Sequence, residues 1–189
     1  MKREIIIWPD SALVKKCAPI EEIDDGVRRM LDDMVETMLH FKGAGLAAPQ
    51  LGYPVRAVVV KVTETESGKE SVLRLVNPRL VEKRSAPVPF MEGCLSLPEV
   101  RIPTMRHPWV KVEALDENGG KVDVEGDGLL AIALQHELEH LDGRLMVDQL
   151  SFIKRSMLEK KFRKAKAKGM RYVVPRPAPF VAFEPAKEK

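Results

Sequence analysis

Apolar positions recur with a helical period between Asp24 and Phe41. Val27, Met30, Leu31, Met34, Val35, Met38 and Leu39 fall at i, i+3, i+4, i+7, i+8, i+11 and i+12, one stripe of a 3.6-residue helix. Asp24 or Asp25 is placed to cap its start and Gly43 to end it. A methionine-rich stripe of this kind reads as core. After Gln50 the period shortens. Arg56–Val62 and Val72–Asn77 are β-branched runs bounded by turn residues, and Val110–Leu115 and Lys121–Glu125 flank the hairpin signal Asp116-Glu117-Asn118-Gly119-Gly120. Pro87, Pro89, Pro98, Pro103 and Pro108 predict irregular edges and loops around residue 94. A second helix is expected from about Gly128, with Asp127 as N-cap, to about Gly143. A basic helix over 150–170 follows, and then a proline-rich tail, 172–189, expected to be extended or disordered. Helix, strands and helix without βα alternation or internal repeat predict one α+β domain over 1–171. Its parts are an N-terminal helix, antiparallel strands, a central helix and a C-terminal basic helix.

Composition narrows the class. A chain of 189 residues with 44% hydrophobic content is one domain by length and large enough for a real core. Two cysteines cannot make a disulfide framework. The start, Met1 to Asp10, has too short an apolar run for a signal peptide, and no stretch approaches a membrane span. Charge is unevenly spread. Residues 154–171 carry nine basic side chains against the single acid Glu159, a segment of +8 in a chain of +3, leaving −5 elsewhere. Such a run is either a solvated helix face or a docking surface for a polyanion.

The chemistry concentrates in His136-Glu137-Leu138-Glu139-His140. Two imidazoles at i and i+4 share one helical face and can reach a single metal ion, and Glu137 can reach a water on that ion. A hydrolytic site needs a third protein ligand and an open fourth position. The longer pattern HExxHxxGxxH holds through Gly143 and fails at Met146. Glu159 is a downstream candidate but sits in the basic run. Cys94, in Glu92-Gly93-Cys94-Leu95-Ser96, is the stronger one, since a thiolate is a soft-metal ligand. Leu129, Ile132, Ala133, His136 and His140 share one stripe of the predicted helix. The metal face therefore continues into a small apolar surface fit for an unbranched apolar side chain, while Leu130, Leu134, Leu138 and Leu141 read as packing. His40, His107 and Cys17 have no partner at ligand spacing.

Gly43-Ala44-Gly45-Leu46-Ala47-Ala48-Pro49-Gln50 supplies a third motif, and it is not a phosphate loop. Together GxGLAAPQ, EGCLS and QHELEHLDG, in this order and spacing, resemble the peptide deformylases over about residues 1–165. The resemblance implies removal of formyl from the N-terminal formyl-methionine of nascent chains, with release of formate. It implies Cys94, His136 and His140 as ligands and water in the fourth position. Fe(II) is the family's usual physiological metal, and Zn, Ni or Co are able to occupy the same site. Glu137 is implied as general acid and base, with the Gln50 side chain and the Leu95 backbone N–H stabilising the formyl oxygen. The methionine pocket would be formed by Phe90, Leu129, Ile132, Ala133 and the His136 ring. Substrate backbone would pair with the Gly43–Gly45 and Glu92–Gly93 segments, a strand-addition mode. Arg101 stands where the family often has an arginine near the rim, and Ala44 is smaller than the branched residue of many relatives, which implies a wider pocket mouth. Cytoplasmic location, a monomer, and ribosomal RNA as target of the basic helix complete the expectation.

Two other readings compete. A metalloendopeptidase would use His136, His140 and Glu159. An RNA-binding module would close a structural site with Cys17, Cys94, His136 and His140, leaving Glu137 and Gln50 without purpose.

Overall fold

The computed structural model describes residues 2–63, 67–168 and 181–182. In chain order the elements are α1 (Asp25–His40), β1 (Gly45–Ala47), β2 (Ala57–Thr63), β3 (Glu70–Arg84), β4 (Val88–Cys94), β5 (Leu97–Arg106), β6 (Trp109–Leu115), β7 (Lys121–Asp127), α2 (Gly128–Leu141), α3 (Phe152–Ala167) and β8 (Val181–Ala182). The α+β expectation holds. Five antiparallel strands form one sheet in the order β1-β2-β3-β6-β7, and β5-β4-β8 form a second.

Asp24 caps α1, its Oδ1 accepting from the Val27 N–H at 2.8 Å. The predicted stripe buries Met30, Leu31, Met34 and Met38. The helix end differs from expectation. Lys42 takes the left-handed conformation (φ 55°), and the Gly43 N–H closes on the Met38 carbonyl at 2.9 Å. Gly43 serves close approach instead: a Cβ there would lie 2.9 Å from Leu95 Cδ1 and 3.1 Å from the Gly45 carbonyl oxygen.

The first four residues of β2 are apolar and buried because helices cover both of its faces there. Ala57 and Val59 pack with Met30, Met34 and Met38 of α1, whereas Val58 and Val60 pack with Leu134, Leu138 and Leu141 of α2. This three-layer arrangement makes α2 the most enclosed helix, with its residues from Ala131 to Leu138 all buried. Asp127 occupies the N-cap position without a side-chain capping bond, and the Gly128 N–H donates instead to the Pro108 carbonyl at 3.1 Å. The β6–β7 hairpin forms as predicted, with Asp116 Oδ1 accepting from the N–H groups of Asn118 and Gly120 at 2.8 Å each.

The proline-rich stretch is more ordered than expected, a hairpin of β4 and β5 over residues 88–106 joined by the two-residue turn Leu95-Ser96. The expected irregularity is confined to the neighbourhood of residue 94, where the register breaks between Gly93 opposite Arg101 and Cys94 opposite Leu97 and Glu99 takes a positive φ. Proline survives here because β5 is an edge strand. Pro103 faces Met91 and Pro89 faces Met105, positions where an antiparallel ladder asks for no bond across the pair. A third cluster, Trp8, Leu13, Leu97, Ile102, Leu145, Met146, Val147 and Phe162, ties this hairpin to the N-terminal segment and α3. Most of the predicted tail, 172–189, lies outside the described residues; Val181 and Ala182 pair antiparallel with Met91 and Phe90. No helix among the described residues is long and apolar enough to cross a membrane.

Candidate active site

Helical spacing delivers the first half of the site. His136 and His140 lie one turn apart on α2, both buried, with ring centroids 5.1 Å apart. The other half arrives from β4, where a register break after Gly93 turns Cys94 toward the helix. Cys94 Sγ lies 3.3 Å from His140 Nε2, and one donor atom from each of Cys94, His136 and His140 falls within 4.8 Å of the others. Sulfur and nitrogen sharing one tetrahedral ion stand about 3.5 Å apart, so this set fits a metal.

Tautomer supports the same fit. His136 Nδ1 is held by Glu92 Oε2 at 2.7 Å, which leaves Nε2 for the ion. Burial pushes the His136 imidazole down, but the Cys94 sulfur, Glu92 and Glu137 together hold it well above the ordinary histidine range. Burial keeps His140 well below the ordinary histidine range, in the neutral form that ligates.

Behind the ligands lies an ionic group that the sequence reading did not find. Glu92 is fully buried. Arg106 donates to both of its oxygens, Nη2 to Oε2 at 3.0 Å and Nε to Oε1, and Thr104 Oγ1 donates to Oε1 at 2.5 Å. Arg106 also grips Glu139 at 2.8 Å. Burial pushes the Glu92 carboxyl up, yet hydrogen bonds from His136 and Arg106 bring it down to about 2. Strand alternation puts Glu92 and Cys94 on one face of β4, a signal available in sequence. Arg106 was hidden, because only the β4–β5 register brings it there.

Glu137 faces Gly45. A Cβ on Gly45 would stand 2.6 Å from Glu137 Oε1, so only glycine admits this carboxylate. Glu137 Oε2 is buried without a partner, and burial raises its carboxyl to about 7, with the nearby Glu92 adding to the rise. Gln50 sits in the single-turn 3₁₀ helix Ala48–Leu51. Its Oε1 accepts from the Ala47 N–H at 2.8 Å, and its Nε2 lies 3.1 Å from Ser96 Oγ and 3.6 Å from Cys94 Sγ.

Two strands frame the site: β1, whose outer edge is free among the described residues, and β4, whose side away from β5 is paired by β8 at Phe90 and Met91. The Lys61 N–H bonds to the Ala44 carbonyl at 2.8 Å, so ladder alternation turns the N–H and carbonyl of Gly45 to the free edge of β1. The Ala44 methyl packs against the core. On β4, Pro103 opposite Met91 sets the same parity, and Gly93, opposite Arg101, turns its polar groups away from β5.

Among the other residues singled out from sequence, Phe90, Leu95, Ile132 and Ala133 are buried, Arg101 is half-buried, and Leu129 is 55% exposed at the start of α2. Glu159 pairs with Arg163 at 2.7 Å on α3 and is absent from the metal-capable group. Cys17 is buried, its N–H on the Leu141 carbonyl, and is likewise outside that group among the described residues.

Known proteins share this architecture. A family profile described as Polypeptide deformylase matches residues 2–156. The chain is similar to the peptide deformylase of Tolumonas auensis, 43% identical over 85% of this chain and 94% of that protein. It is also similar to that of Thermodesulfovibrio yellowstonii, 42% identical over 86% and 98%. Among solved structures, the Ehrlichia chaffeensis peptide deformylase superposes with a TM-score of 0.83 at 32% identity, covering 89% of this chain and 99% of that one. The same protein in complex with actinonin gives 0.82 at 34% identity, covering 87% and 98%. With matches of this identity along nearly its whole described length, the chain belongs to the polypeptide deformylase family.

Proposed function

We propose that this enzyme removes the N-formyl group from the N-terminal formyl-methionine of newly made polypeptides, releasing formate, and that Glu137 carries both proton transfers. The supporting observation is a buried carboxylate with an unpartnered oxygen, raised to about 7, beside three convergent ligand atoms. Cys94, His136 and His140 would hold one divalent ion. When bound, such an ion supplies Lewis acidity, polarising the formyl group and making water a stronger acid. Fe(II) is our proposed native metal, with Zn, Ni or Co fitting the same sulfur and nitrogen donors.

Glu137 takes a proton from the attacking water as its oxygen adds to the formyl carbon. The formyl oxygen gains charge, and the donors aimed at it are Gln50 Nε2 and the Leu95 N–H. The C–N bond then breaks, and Glu137 returns its proton to the leaving amine. Methionine would enter the apolar space of Phe90, Leu129, Ile132, Ala133 and the His136 ring, and Arg101 would stand at its rim. The peptide beyond it would run extended between the outward polar groups of Gly45 and Gly93, which read backbone and tolerate any sequence. A cytoplasmic monomer that docks on ribosomal RNA through α3 completes this reading.

Formate release from formyl-Met-Ala-Ser by anaerobically purified protein, with metal measured on the same sample, is the direct test. Glu137→Ala should keep its metal and release almost no formate, and near-normal turnover would remove the general base. Cys94→Ala should lose metal, whereas full occupancy would assign the third ligand elsewhere.

A further inference from the structure

We infer that Ser96, which carries no role so far, is a positioning residue that sets the direction of the Gln50 amide, an inference resting on the part proposed above for Gln50. Ser96 is fully buried in the turn between β4 and β5, adjacent to the Leu95 N–H. Its Oγ accepts from Gln50 Nε2 at 3.1 Å, and on the far side of the same amide the Ala47 N–H donates to Oε1 at 2.8 Å. An amide has two donor protons and one carbonyl oxygen. With the oxygen committed to Ala47 and one proton to Ser96, the remaining proton points along the direction of Cys94 Sγ, 3.6 Å away at the ligand cluster. A flipped amide would set its NH₂ against the Ala47 N–H, donor against donor. The Ala47 N–H therefore excludes the flip, and Ser96, taking one proton at the other end of the amide, fixes the torsion that carries the second proton to Cys94 Sγ at the ligand cluster, where a formyl oxygen would compete for it.

The backbone is framed to match. The Ile6 N–H donates to the Gln50 carbonyl at 2.8 Å and the Trp8 N–H to the Ser96 carbonyl at 3.0 Å. One extended N-terminal segment thus fixes both residues of the pair, and the two oxyanion donors share a single rigid frame. Preorganisation of this kind matters because a donor that must reorient during reaction loses most of its effect.

The test is a double-mutant cycle on the metal-loaded enzyme with formyl-Met-Ala-Ser. Ser96→Ala should lower kcat on the order of 10–100-fold with little change in KM, and Ser96→Thr, which keeps the oxygen, should recover most of it. In a Gln50→Ala background Ser96→Ala should cost nothing further. A second readout is independent of turnover: in the zinc-loaded protein the Gln50 side-chain NH₂ should give two well-separated, exchange-protected proton signals that draw together in Ser96→Ala. Loss by the same factor in both backgrounds, or an unchanged pair of signals, would overturn the inference by making Ser96 merely structural or irrelevant. Failure of the Gln50 proposal looks different, since Gln50→Ala alone would then turn over normally.

Discussion

Gly45 and Glu137 have to be understood as a pair. The space that a Cβ at position 45 would need is already filled by Glu137 Oε1. Gly45→Ala should leave the ligands intact but push the carboxylate aside, lowering kcat on the order of 100-fold. Metal content and formate release measured together would check this, and unchanged turnover would refute it. Glu92 gives a prediction in pH. Its carboxyl is more acidic folded than free, falling from 4.5 to about 2. The stability it contributes is therefore full above its unfolded value and is lost as pH falls from about 4.5 toward 2. Glu92→Gln should cost about 3 kcal/mol near neutrality, leaving Arg106 buried with Glu139 alone, and that deficit should shrink in acid. Urea unfolding at pH 7 and pH 3 compares the two. At this scale, sequence revealed whatever is local. His136, Glu137 and His140 declare themselves through one turn of helix. Thr104, Arg106 and Ser96 do not, because strand register and a buried turn put them beside residues distant in the chain or unremarked in it.

Elements were legible in kind more than in extent. The stripe of α1 and the hairpin around Asp116 were plain, since each is periodicity or turn chemistry within a few residues. β4 and β5 were obscured by proline, whose missing N–H matters only where a partner asks for it. The same parity that tolerates Pro103 frees the polar groups of Gly93, and that of Lys61 with Ala44 frees Gly45. A substrate strand bonding to both edges gains roughly 0.5–1.5 kcal/mol per bond. Formyl-methionine amide, which lacks that backbone, should fall roughly 10–100-fold below formyl-Met-Ala-Ser in kcat/KM. Equal values for the two would deny the strand-addition mode. Within α2, Leu134 is fully enclosed between helix and sheet, and Leu134→Ala should cost about 2–5 kcal/mol in thermal or urea unfolding.

For the whole molecule, charge was the clearest sequence signal and its segregation persists in three dimensions. Lys160, Lys161 and Lys164 are exposed on α3, while Phe162 and Ala165 of the same helix are buried. Reversing these three lysines to glutamate should abolish co-sedimentation with ribosomes at low salt and leave tripeptide turnover within about twofold. Undiminished co-sedimentation would reduce the basic face to a solvating one. The layering of α1, sheet and α2 was not readable, because nothing local tells which face of β2 meets which helix. Trp8 meets Phe162 edge to face at 5.8 Å, so the segment preceding α1 is stapled to α3. During synthesis that staple closes only after Phe162 has been made. Copies cut short before α3 should therefore leave Trp8 uncovered and unfold at lower urea than copies that include it.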